Sequence, residues 1–204
     1  MFRSRDWLVL ALIAAVVCLY LAIKPLRPSA QGTRHPAVGL KLDYLELQPL
    51  TGDSQKVSLT DLEGHVVLLN FWGTWCGPCV QEFPHIIDLV ARYSSRSGFR
   101  LLAVSCGGET DDELDELRDS TQSFLQSMKS ILPTYADQHG STRQNLIRIA
   151  HLEGFGYPTT LVLDRKAVIR AMWEGYSPAT VQEMQAVVGK LLNEADPSGK
   201  ASAQ

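Results

Sequence analysis

Several features that would indicate common classes of protein are scarce in this sequence. Four cysteines among 204 residues are too few and too irregularly spaced for a small disulfide scaffold. There is no second CxxC, and the histidines lack finger-like spacing, which argues against a zinc site. With a formal net charge of −3, the chain has no excess of basic residues, so we expect no nucleic-acid partner.

One long apolar run is present near the N-terminus. Residues 7–23 are uninterrupted apolar residues with basic residues on both sides. The run is longer than the roughly 7–15 residues of a signal-peptide core and reaches the lower limit of about 17 for a membrane span. We therefore favour an uncleaved anchor over residues 1–24, rather than a cleaved signal, and a linker over residues 25–37. The flanking charges do not decide its orientation.

The most informative stretch is FWGTWCGPC, residues 71–79. An apolar, β-rich run over residues 66–71 precedes it and predicts a buried strand. Apolar residues at helical spacing follow Pro78, whose missing N–H is tolerated in a first helical turn. Cys76 would then lie at the helix N-terminus and Cys79 one turn inside. Free backbone N–H groups and the helix dipole would stabilise a thiolate there, within reach of the second sulfur.

The remaining pattern alternates strands and helices within a domain predicted over residues 38–193. A strand–helix–strand unit around the CxxC favours a right-handed parallel crossover. Pro133 predicts that the strand after it lies at a sheet edge, and Ser141–Gln144 resembles a capping box. Residues 194–204 are polar and small and predict a disordered tail. Predicted elements are a hairpin over 42–59, a helical turn at 59–64, strands at 99–105, 132–136, 161–163 and 168–173, and helices at 114–131, 141–152 and 178–192.

This order of elements, with WCGPC after a buried strand and YPTT before a late strand pair, resembles the thioredoxin superfamily. Within it the chain is most similar to the membrane-tethered TlpA/ResA-type thiol–disulfide reductases. The matching residues are 57–59, 62–64, 70–76, 82–84 and 157–160. The resemblance implies an α/β, thioredoxin-like fold: a central mixed β-sheet flanked by helices, with an N-terminal transmembrane helix.

The resemblance also implies a role for each sulfur. Cys76 would be the attacking thiol and Cys79 the resolving thiol of a redox-active disulfide that needs no cofactor and no metal. The Cys76 thiolate attacks a substrate disulfide, a mixed disulfide forms, and Cys79 displaces the reduced substrate. In such families a membrane electron donor then re-reduces the pair.

Five residues are predicted to bind substrate: Trp75, Gly77, Pro78, Tyr157 and Pro158. Pro158 matches the position that is cis in this superfamily and lies opposite the disulfide, where backbone groups can pair with an extended substrate. Tyr157 stands where the family usually has a small or β-branched residue. We expect Trp75 to be partly exposed and to contact substrate, because interface anchors are often aromatic.

Glu82 is a third predicted catalytic residue, one helical turn after Cys79. In the tethered reductases the matching glutamate is linked to proton handling. Because Asn70 occupies the place of the buried aspartate of ordinary thioredoxins, another base is needed. A desolvated Glu82 would have a raised pKa and could accept the Cys79 proton, whereas the alternative is a solvated helix charge. Cys106 is predicted to be a buried small apolar residue without a catalytic role.

The predicted function is a membrane-anchored, single-pass thiol–disulfide reductase on the extracytoplasmic, periplasmic side, where protein disulfides persist. Its partners would be disulfide-containing proteins, with apocytochrome c awaiting haem as one candidate. Cys-Gly-Pro-Cys is the thioredoxin motif, with a potential of about −270 mV against about −120 mV for strong oxidants, which favours reduction. The alternatives are a thiol oxidase or isomerase and a redox-gated client-binding module. A peroxide-reducing relative is disfavoured because the two cysteines lie so close in sequence.

Overall fold

A mixed β-sheet forms the centre of the folded unit. The computed structural model describes residues 12–15, 31–52, 55–108 and 114–194, and a compact unit begins at Gln31. Within these residues the sheet has the order β2-β1-β5-β4-β3-β6-β7. The strands are β1 (Glu46–Thr51), β2 (Val57–Ser58), β3 (Val66–Trp72), β4 (Phe99–Ser105), β5 (Thr134–Ala136), β6 (Thr159–Leu163) and β7 (Ile169–Glu174).

Helices pack on both faces of this sheet. They are α1 (Gly77–Tyr93), α2 (Leu114–Ser127), α3 (Ser141–Ala150) and α4 (Pro178–Asn193), with short 3₁₀ turns at Leu59–Leu62 and Gln138–Gly140. β3 runs parallel to β4 and antiparallel to β6, so the sheet is mixed. The predicted thioredoxin-like α/β architecture is confirmed.

The central strand β3 is buried at all of its positions. Successive side chains of a strand point to opposite faces. Leu69 and Phe71 therefore join the core beneath α3, whereas Leu68 and Trp72 join the core beneath α1, α2 and α4. Burial on both faces makes the strand a rigid support, and the chain that leaves its carboxyl end leads directly to Cys76.

The strand after Pro133 is not at a sheet edge, contrary to the prediction. β5 lies between β1 and β4 and pairs with both. Pro133 precedes the strand, so its missing N–H removes no ladder hydrogen bond.

The predicted capping box at Ser141–Gln144 is also wrong. The N-cap of α3 is Gly140, at a φ of 67°, and it makes no side-chain capping bond. The carboxylate of Asp137 instead accepts hydrogen bonds from the backbone N–H groups of Thr142 and Arg143, at 2.9 and 3.0 Å. Free N–H groups of a helix start are thus satisfied by a residue several positions earlier.

Residues 31–37 pack on the domain, whereas the sequence predicts a linker over residues 25–37. Gly32 exchanges two backbone hydrogen bonds with Met172, at 2.7 and 3.1 Å, and Ala37 is buried. Among the residues that the structure describes, none of the helices has the length and apolar composition of a membrane span. The predicted anchor over residues 1–24, apart from helical residues 12–15, and the tail after Glu194 lie outside the described residues.

Candidate active site

Cys76 and Cys79 are joined in a disulfide at the N-terminus of α1. Cys76 is the N-cap residue, and its Sγ accepts a hydrogen bond from the backbone N–H of Cys79 at 3.2 Å. Gly77 and Pro78 form the start of the helix, where proline leaves no donor unsatisfied. The exposed fraction is 6% for Cys76 and 0% for Cys79, so Cys76 is the sulfur that a substrate can reach.

Glu82 is buried one turn after Cys79, with an exposed fraction of 1%. Its Oε2 accepts a hydrogen bond from Nδ2 of Asn70 at 2.9 Å, and the same amide donates to Oγ1 of Thr160 at 2.8 Å. Burial raises the pKa of Glu82 to about 7, although hydrogen bonds from Asn70 and Thr160 oppose the rise. Such a carboxyl can take up and release a proton near neutral pH. The reading of Glu82 as a solvated helix charge does not fit this burial.

The loop before β6 approaches the end of β3. Strand register pairs Phe71 with Thr159, which places Pro158 next to the strand end that leads to Cys76. The Tyr157–Pro158 peptide bond is cis, as the resemblance implies. The carbonyl of Pro158 accepts a hydrogen bond from the backbone N–H of Gly175 at 2.7 Å, which ties the loop to the end of β7.

Trp75 is half exposed beside the disulfide, at 52%. Its indole N–H donates to the carbonyl of Cys106 at 2.9 Å, and its ring lies edge-to-face on Tyr157 with a centroid distance of 5.3 Å. Gly73 makes this arrangement possible, because a Cβ there would lie 2.5 Å from Nε1 of Trp75. Trp72 is fully buried instead and packs on Phe83.

Cys106 follows β4 at the active-site end of the sheet. Its side chain is buried and forms no disulfide, and its backbone N–H donates to the carbonyl of Trp72 at 2.8 Å. Burial and the neighbouring Cys106 thiol raise the pKa of Tyr157. The hydrogen bond from Arg143 opposes this rise in the pKa of Tyr157.

The AhpC/TSA family matches residues 34–172 of this chain. The chain belongs to the AhpC/TSA family. It is 30% identical to the thiol-disulfide oxidoreductase ResA of Oceanobacillus iheyensis over 176 residues, which cover 85% of this chain and 81% of that protein. It is 34% identical to the thioredoxin-like protein YneN of Bacillus subtilis over 147 residues, covering 72% of this chain and 76% of YneN.

The fold of this AhpC/TSA chain is similar to that of a solved structure. A Chlorobium tepidum protein described as a thiol:disulfide interchange protein DsbE superposes with a TM-score of 0.59 at 28% identity, covering 76% of this chain and 98% of that one. The predicted resemblance to ResA-type proteins is confirmed. These similarities support thiol–disulfide oxidoreductase activity of the thioredoxin-like type.

Sequence reasoning missed three residues of this AhpC/TSA site. The buried pair Asp137–Arg143 belongs to no local motif, and Arg143 donates a hydrogen bond to the hydroxyl oxygen of Tyr157. Gly73 lies within the motif over residues 71–79 but is not among the predicted site residues. The WGTWC spacing held a signal for Gly73, since a glycine between two tryptophans favours close backbone approach. Within residues 31–52, 55–108 and 114–194, no cluster of three His, Cys, Asp or Glu side chains is positioned to hold a metal.

Replacing Glu82 by glutamine should flatten the pH dependence of stability. The folded protein raises the pKa of Glu82 from 4.5 to about 7, so it binds this proton more tightly than the unfolded chain does. The resulting stabilisation is complete below about pH 4.5 and is lost as the pH rises through about 7, a change on the order of 3 kcal/mol. Urea unfolding of the oxidised wild type and of Glu82→Gln between about pH 5 and 8 measures the difference; parallel curves would contradict it.

Proposed function

We propose that this protein is a membrane-anchored, extracytoplasmic reductase of protein disulfides. One observation supports this chemistry. Cys76, whose sulfur a substrate can reach, is the N-cap residue of α1, and the buried carboxyl of Glu82 lies one turn beyond Cys79. A thiol at a helix start is stabilised as the thiolate, and a carboxyl with a pKa near 7 is matched to proton transfer at neutral pH. Similarity to ResA supports the same chemistry.

The reaction runs in two exchange steps. The Cys76 thiolate attacks one sulfur of the substrate disulfide, forming a mixed disulfide, and the other substrate sulfur leaves as a thiolate. Glu82 accepts the Cys79 proton, and the Cys79 thiolate then attacks Cys76 and releases the second substrate sulfur. Two electrons pass to the substrate and the enzyme pair becomes the disulfide. The two substrate thiolates become a dithiol by taking up one proton from Glu82 and one from water.

One carboxylate oxygen of Glu82 is available for this proton. Oε2 is engaged by Asn70, whereas Oε1 is buried and has no hydrogen-bond partner among the described residues. A buried acceptor without a partner is unfavourable while the carboxylate is charged. Protonation at Oε1 would relieve this, because it removes the charge from the desolvated carboxyl.

The N-terminal apolar run and the resemblance to tethered reductases together support the proposed re-reduction step and location. A tethered enzyme can take electrons from a membrane donor that draws on the cytoplasm, and it acts where disulfides persist. We propose protein disulfides on the periplasmic side as substrates, with apocytochrome c awaiting haem as the first to test.

The midpoint potential of Cys76/Cys79 decides the direction of electron flow. We expect the full chain in detergent, equilibrated against thiol buffers and trapped by alkylation, to give a value near or below about −270 mV. A value near about −120 mV would identify an oxidase and overturn the assignment.

Removal of the resolving sulfur should trap the substrate. Reduced Cys79→Ala should accumulate a mixed disulfide with oxidised apocytochrome c at Cys76, visible on non-reducing gels, because no second thiol can release it.

Glu82→Gln should resolve the same intermediate at least about tenfold more slowly at pH 7, since a positioned base contributes on the order of 10²-fold or more.

The matched control is the variant in which both Cys76 and Cys79 are alanine, which should retain no substrate. If this double variant binds the client as well as Cys79→Ala does, the protein is a client-binding module and the reductase assignment fails. Resolution by Glu82→Gln at the wild-type rate would remove the proposed role of the carboxyl.

Anchoring is tested by fractionation. The full chain should remain in the membrane fraction after alkaline carbonate extraction, because an apolar run of residues 7–23 is held by the bilayer core. A chain that begins at Gln31 should appear in the soluble fraction. Release of the full chain by carbonate would refute the anchor.

A further inference from the structure

A buried ion pair lies behind the active site. Nε of Arg143 donates to Oδ2 of Asp137 at 3.0 Å, and both side chains are almost fully buried. Asp137 also caps the start of α3, so its carboxylate is held by backbone N–H groups. Because a buried charge is unfavourable unless it is paired, the carboxylate fixes the position of the guanidinium.

The guanidinium extends from this pair to the active-site loop. Nη1 of Arg143 donates to the hydroxyl oxygen of Tyr157. The Tyr157 ring packs at the margin of both core clusters, one on each face of the sheet. Tyr157 therefore joins the Asp137–Arg143 pair to the loop that contains Pro158.

Tyr157 in turn supports the exposed ring of Trp75. The two rings meet edge-to-face at 5.3 Å, while the carbonyl of Cys106 fixes the indole N–H. One face of a half-exposed aromatic ring is thus held in position next to the reachable sulfur. A small cavity adjoins the same ring, lined by Thr74, Gly107, Gly108, Glu116, Leu117 and Ser120.

We propose that Arg143 is a positioning residue that gives the site a preference for an aromatic residue beside the substrate cysteine. Anchored on Asp137, it holds Tyr157, and Tyr157 holds Trp75 in place before substrate arrives. The inference rests on the proposed function, since it concerns how that reductase selects its disulfides.

A fixed aromatic ring binds better than a mobile one. Ordering a side chain on binding opposes association, and a ring that is already ordered avoids that loss. Aromatic pairs gain further from edge-to-face or offset contact. Trp75 therefore favours an aromatic neighbour of the cysteine, and Arg143 contributes to this preference without touching the substrate.

The test compares two disulfide-linked peptides that differ only in Phe or Ala beside the attacked cysteine. The full chain in detergent should reduce the Phe peptide with a kcat/KM about three- to tenfold higher, the difference falling mainly on KM. Tyr157→Phe keeps the ring and removes the hydroxyl, and Arg143→Lys keeps a cation beside Asp137 but loses the planar fork. Each should bring the ratio below about twofold.

The double variant tests whether Arg143 acts through Tyr157. If it does, Arg143→Lys combined with Tyr157→Phe should lose no more selectivity than either single change. Additive losses would refute the positioning role. The matched control is Tyr93→Phe, which removes a hydroxyl that donates to the carbonyl of Gln185 at 3.0 Å, away from the site, and should keep the wild-type ratio.

A spectroscopic measurement separates this inference from the reductase assignment. The near-UV circular dichroism of Trp75, isolated by subtracting the Trp75→Phe spectrum, should weaken in Tyr157→Phe and in Arg143→Lys but not in Tyr93→Phe. An unchanged signal would overturn the positioning role even if both peptides are reduced. If neither peptide is reduced, the proposed function fails, and the Trp75 signal still decides whether Arg143 orders the ring.

Discussion

The hydrogen bond from Asn70 to Glu82 joins the two elements on which the site depends. Asn70 lies in β3, which is buried on both faces, and Glu82 lies in α1, which begins with the two cysteines. Through this contact the carboxyl is held in the core one turn beyond Cys79. A solvated glutamate would have an ordinary pKa, so the raised pKa of Glu82 depends on its position in the core, where burial is unfavourable for charge.

The buried position of Glu82 makes the folded protein less stable when this carboxyl is ionised. Desolvation of Glu82 favours its neutral form, so the ionised enzyme at higher pH carries an unfavourable buried charge. Surrounding apolar packing on β3 and α1 holds the carboxyl in place despite that loss. Strained or desolvated groups persist in proteins where neighbouring structure over-determines them, and active sites are where this is useful.

A second buried polar pair, Asp137–Arg143, contacts Tyr157, whose ring lies edge-to-face on Trp75. Asp137 serves the fold by capping α3, and Arg143, which is paired with Asp137, serves the site by contacting Tyr157. One buried pair thus connects the start of α3 with the position of the loop that contains Tyr157 and Pro158. A substitution there would alter both, which is why changes of peptide selectivity have to be separated from loss of order in the domain.

The local pattern of residues in the sequence determined the order of the main elements and the position of the two cysteines. Periodicity and the CGPC spacing placed Cys76 at a helix start, because helix-start chemistry involves neighbours within one turn, and the resemblance identified Pro158 and Glu82. Only the tertiary structure decided that β5 is internal, that residues 31–37 belong to the domain, and that Asp137 caps α3 and anchors Arg143. The first two outcomes depend on contacts between residues that are distant in sequence. The third depends on which side chain accepts the hydrogen bonds of the backbone N–H groups at the start of α3. The local spacing of residues determines neither.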